Sequence, residues 1–120
     1  MIDAEYREET VMPFYMFQGR YSTEAIKAMV NNPQDREAPG RALVESVGGK
    51  LHSMFFAFGS DDIVAIIEGP DDKTAAACSM ALGASGAFSG GATTKLITAS
   101  EAMEAMGIAK KAASGYKPPA

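Results

Sequence analysis

His52 is the single histidine of the chain, and Glu68 is the carboxylate that closes the next apolar run, "IVAIIE". Two antiparallel strands joined by a turn at 59–61 set Phe58 opposite Asp62 and His52 opposite Glu68. Such a pair orients an imidazole and favours its charged form, the arrangement a general base uses. The plainer alternative is a solvated surface pair, and a slip of one residue in the pairing removes the contact. Tyr6, Tyr15 and Tyr21 carry hydroxyls able to donate into a pocket, with Met54 and Phe56 as apolar walls. Their plainer role is amphipathic packing with the hydroxyl at the surface. Met16, Met29, Met54 and Met80 fill a core in most proteins, yet methionine walls also suit an adaptable apolar cavity.

Two aspartate pairs, Asp61-Asp62 and Asp71-Asp72, flank that same apolar run. A metal site needs several oxygens converging on one point. At ~3.3 Å per residue the two pairs lie more than about 15 Å apart along a strand. Turn and capping roles are therefore expected, and no metal. Cys78, the lone cysteine, sits in "TAAACSMAL" with no Lys, Arg or His beside it to lower its pKa, so it reads as a small buried hydrophobe. The run "GASGAFSGG" lacks the strand-to-helix context and the lysine of a phosphate loop. It is expected to be a flexible connector, or a lid over a pocket.

The elements that must hold these residues follow from period and punctuation. "PFYMFQGR" reads as a strand closed by Gly19. Ser22 or Thr23 caps a helix whose apolar positions are Ile26, Met29 and Val30, and "NNP" stops it. A second helix carries Leu43, Val44 and Val47, with Pro39 in its first turn and Gly48-Gly49 at its end. "KLHSMFFAF" and residues 62–68 form a hairpin. One set of its side chains is Phe55, Ala57, Ile63, Ala65 and Ile67, and the other is Met54, Phe56, Phe58, Val64 and Ile66, so both faces are apolar. Asp71 or Asp72 opens the next helix, "ATTKLITA" is the fourth strand, and Thr98 with Glu101 fits a capping box for a last helix ending at Gly107. The order is β-α-β-β-α-β plus a C-terminal helix: an α+β, ferredoxin-like chain with a four-stranded antiparallel sheet. Residues 1–11 are read as a polar extension, 12–107 as the domain and 108–120 as a flexible tail.

With 11 basic and 15 acidic residues, the 120-residue chain has a formal net charge of −4. No cluster of Lys and Arg offers the counterion-releasing surface that nucleic acid requires. No window reaches the ~18 apolar residues of a membrane span, and "MIDAEYREETV" has no secretory apolar core. A cytoplasmic protein with no nucleic-acid or membrane partner and no cofactor is expected. Helices roof only one face of such a sheet, and an apolar second face is rare on a monomer. A homodimer packed sheet to sheet, a dimeric α/β barrel, is the economical arrangement.

The stretch "GGKLHSMFFAFGSDDIVAIIEGPDDKTAAACSMALGASG" resembles the GYD-domain family, and the resemblance runs from about Met12 to Met106. Gly59 and Asp62 stand at the signature, followed by Ile63-Val64, Glu68 and Pro70-Asp71, while Asp61 occupies the tyrosine position. The resemblance implies a ferredoxin-like fold and dimerisation, and it supplies no reaction. In outline the chain is also similar to dimeric α/β-barrel proteins, which include cofactor-free oxygenases and small-molecule binders. Three functions are consistent with this. The first is a binding module whose apolar pocket takes a small apolar or aromatic molecule. The second is a cofactor-independent oxygenase or isomerase using His52 and Glu68. The third is a structural or regulatory oligomer without a pocket.

Overall fold

The computed structural model describes residues 12–120. Its elements are β1 (Phe14–Tyr21), α1 (Thr23–Asn31), α2 (Glu37–Ser46), β2 (Lys50–Phe56), β3 (Ile63–Glu68), α3 (Asp72–Ala84), β4 (Phe88–Leu96) and α4 (Ala99–Ala113). The four strands form one antiparallel sheet in the order β2-β3-β1-β4, compatible with the ferredoxin-like arrangement. The expected polar extension, with Tyr6, lies outside the described residues. Among the described residues no helix is long and apolar enough to cross a membrane.

Side chains alternate across β1, so its odd-numbered residues share one face. Tyr15, Phe17 and Tyr21 are buried there, and with Leu51, Ile63 and Ala65 they make the core. Ala25 and Met29 of α1 and Leu82 of α3 pack on this cluster, and Val44 is the buried residue of α2. The even-numbered residues Phe14, Met16 and Gln18, with Val64 and Ile66 of β3, point to the other face and are half-buried.

Local chemistry fixes the helix ends. Ser22 accepts from Ala25 N at 3.2 Å and Asp71 from Thr74 N at 2.8 Å, each satisfying a free N–H of a first turn. Thr98 and Glu101 form the complete capping box of α4. Gly48, at φ +85°, turns the chain out of α2, and its neighbour Gly49 is required by space, since a Cβ there would sit 2.6 Å from the Glu68 carbonyl oxygen.

Four sequence expectations need correction. The hairpin closes with Ala57 N donating to Asp62 O, so Phe56 pairs with Ile63 and Met54 with Ala65. This register is one residue away from the expected one, and such a shift turns every side chain over. Met54 and Phe56 therefore join Ile63, Ala65 and Ile67 on the helix face, and Phe55 turns to the open face, where it is 67% exposed. The second strand also stops short of Phe58, which projects into solvent. The glycine run is not a connector or lid. Gly83 and Ala84 finish α3, Phe88 to Gly91 begin β4, and Ser85 to Ala87 alone join them, with Gly86 turning at φ +81°. Finally, α4 continues through Gly107 to Ala113, because a capped helix tolerates one glycine at ~1 kcal/mol.

Candidate functional site

A cavity of about 280 Å³ lies between the sheet and two helices. Tyr15, Phe17 and Tyr21 of β1, with Ile63, Ala65 and Ile67 of β3, form its floor. One wall is the inner face of α2, where Pro39, Gly40 and Leu43 follow its N-cap residue, Arg36, at helical spacing. The facing wall is α3, through Ala75, Cys78 and Leu82. Phe88 closes one end, in edge contact with Phe17 (centroids 5.4 Å apart) and stacked on Tyr21 at 4.7 Å.

Ser79 and Thr93, bonded to each other, lie beside Phe17 at mid-strand, and the phenols sit at the two ends of β1. Tyr15 and Tyr21 are six residues apart, or about 20 Å along an extended strand. At one end the Tyr15 hydroxyl donates to Asp72 Oδ1 at 2.5 Å, and Lys95 Nζ reaches Asp72 Oδ2 at 3.1 Å. Burial, then the Asp72 carboxylate, pushes the Tyr15 phenol up to about 12. The same hydrogen bond, aided by Lys95, holds the Asp72 carboxyl below its usual range. At the other end burial also raises the Tyr21 phenol, opposed by the Arg36 guanidinium beside it. Cys78 is half-buried, and burial pushes its thiol up, the reverse of what a nucleophile needs.

Of the four residues expected to bind a ligand, Tyr15, Tyr21 and Met54 line the cavity, and Phe56 stacks on Tyr21 with centroids 6.1 Å apart. His52 and Glu68 are brought together elsewhere. Glu68 pairs with Phe14 across β1, which puts its carboxylate on the open face. Its ladder partner in β2 is Lys50, not His52. A bulge between Leu51 and Ser53 displaces His52 from the ladder and swings it toward Glu68, so His52 Nε2 lies 2.6 Å from Glu68 Oε1. The ring also leans on Phe14, at 5.4 Å. Glu68, the last residue of β3, borders the cavity rim as well, but the ion pair and the tyrosines occupy opposite faces of the sheet.

Of the aspartates, Asp71 takes the expected capping position, while Asp62 serves the backbone of β1 rather than its own turn and Asp72 serves Tyr15 and Lys95. Asp71 caps α3, and Asp62 Oδ2 accepts from Tyr21 N at 2.9 Å. Asp61 lies 3.7 Å from Arg20. Among the described residues no group of three or more His, Cys, Asp or Glu could hold a metal. Sequence reasoning missed Arg36 as a cavity residue and Asp72 as the partner of the Tyr15 hydroxyl. Asp72 was visible only as a possible cap. Arg36 carried a usable signal: it precedes Pro39, Gly40 and Leu43 at the spacing of one helix face.

The model of the family described as GYD domain matches residues 15–106. Among solved structures, one titled a crystal structure of MtbAldR is similar at a TM-score of 0.49 and 16% identity, covering 72% of this chain and 52% of that one. The present chain thus spans about half the length of that match. No curated protein matches the chain.

Proposed function

The chain belongs to the GYD-domain family, and on that footing we propose that it is a small-molecule-binding module working as a homodimer. One observation carries the reading: a cavity of about 280 Å³ with a mostly apolar floor and walls and a few polar groups, among them Arg36 and the Tyr15 and Tyr21 hydroxyls at its ends. Its size is near the lower end of ordinary ligand pockets, and few, placed polar groups are what orient a ligand in such a site. A second copy seated on the open sheet face would cover Phe14, Met16, Phe55, Val64 and Ile66 and close a dimeric α/β barrel.

Native mass spectrometry of the gently purified chain tests the pocket. A small apolar molecule should copurify and be lost in Ala75→Leu, which narrows the cavity from the α3 wall. A wild-type chain that arrives empty, and whose cavity methyl resonances do not move with any apolar probe, rejects the reading.

A second reading, a cofactor-independent oxygenase or isomerase acting through His52 and Glu68, draws on their 2.6 Å contact. It places the reacting molecule on the open face rather than in the cavity. Probe-induced shifts of the His52 ring protons, with silent cavity methyls, would favour it.

A further inference from the structure

Arg36 is a half-buried cation on the cavity wall, without a carboxylate partner among the described residues. Its neighbours there are neutral: Nη1 donates to Gln34 Oε1 at 2.9 Å and the guanidinium lies against the Tyr21 phenol, and none of the ion pairs among the described residues includes it. A guanidinium has five N–H donors, so most of its fork is open. The other cations nearby are committed. Arg41 is held by Glu37 and the Leu51 carbonyl, and Lys95 by Asp72. The remaining charged residue on the cavity lining, Glu68, is tied to His52. A partly desolvated charge without a partner is costly, and a carboxylate is the group that matches an arginine fork in two parallel hydrogen bonds.

Resting on the binding-module reading above, we propose that the cavity takes a small monocarboxylate with an aromatic, apolar body, its carboxylate on Arg36 and its ring among the aromatics around Tyr21. Tyr21 is stacked between Phe88, at 4.7 Å, and Phe56, at 6.1 Å, so a ligand ring meets the edges of this stack, and edge-to-face contact favours an aryl group over a straight alkyl chain. At interior packing density about 280 Å³ holds roughly a dozen non-hydrogen atoms. One carboxylate is the limit. The far end offers no second free cation, because Lys95 there is already paired with Asp72, which also accepts from the Tyr15 hydroxyl. Asp62 lies behind Tyr21 with its Oδ2 on the Tyr21 N–H, and it opposes the bound anion at longer range.

The test titrates the full chain with hydrocinnamate and with its neutral counterpart hydrocinnamyl alcohol, following the methyl resonances of Ala65, Ala75 and Leu82. The carboxylate should bind about tenfold more tightly than the alcohol, the worth of one charge-assisted contact. Arg36→Gln should erase the preference, bringing the two probes to equal affinity, and Arg36→Lys should keep part of it. Asp62→Asn should tighten the carboxylate alone. Equal affinity of the two probes for the wild type, or a preference that survives in Arg36→Gln, overturns the carboxylate assignment and leaves the pocket standing. Failure of both probes to move any cavity methyl overturns the assignment and the binding reading together. Circular dichroism of Arg36→Gln matching the wild type confirms that the comparison is between folded proteins.

Discussion

A methyl group placed on Gly91 would lie 2.3 Å from the Gln18 carbonyl oxygen, a backbone atom with nowhere to go. Gly91→Ala should therefore force β4 away from β1 and cost about 3 kcal/mol, read from urea unfolding midpoints. Tyr15 makes a different single-residue prediction. Its folded phenol stands at about 12 against an ordinary 10.0. The neutral form is the one the fold stabilises, so this contribution is complete below the unfolded value and disappears as pH rises through the folded one. Wild-type stability should thus fall between pH 10 and about 12 more steeply than that of Tyr15→Phe. At neutral pH the same substitution should cost about 1 kcal/mol, the ordinary worth of one hydrogen bond. Arg36 shows why such residues escape a reading of the sequence. Nothing in "PQDREAPG" says that Arg36 has no charged partner among the described residues, because that depends on where Glu37, Arg41 and Glu68 go in space.

The elements were legible wherever a local rule governed them. Ser22, Asp71 and the Thr98–Glu101 box all cap as their spacing implies, because capping is settled within four residues. Register was not, since it depends on how the 57–62 loop closes and on one bulged residue. The expected His52–Glu68 pairing assumed an unbroken ladder. The two side chains do meet, but through a bulge that no residue type near Leu51 announces. The glycine run misled for a related reason: glycine marks turns on average, while here Gly91 sits against the Gln18 backbone of β1, which leaves no room for anything larger. In α4, Thr98→Ala should lower helical content and stability by about 1 kcal/mol. Gly107→Ala, at a position facing open space, should raise helix stability by about the same amount. Far-UV dichroism of the two variants reads both effects, and equal spectra would contradict the helix running through residue 107.

For the whole molecule, the layered arrangement follows from alternation along β1, which the sequence shows plainly. What the sequence cannot show is which face each hairpin residue takes, and that decides the surface left for a partner. The open face offers Phe14, Met16, Phe55, Val64 and Ile66 around the centre of the sheet. If a second copy covers it, Ile66→Lys buries an unpaired charge in the contact and should give a monomer in sedimentation velocity, with the cavity side unchanged by dichroism. A wild-type chain that sediments as a monomer at high concentration would refute the sheet-to-sheet pairing. The two bulges bear on the same question from the side. The outermost strands are β2 and β4, and each is interrupted, β2 at His52 and β4 opposite the Arg20–Tyr21 step. An interrupted rim offers a stranger's backbone no continuous row of N–H and C=O groups to zip onto. Lateral growth into ribbons or fibrils is thereby blocked at both margins, even though the broad surface between them remains hydrophobic.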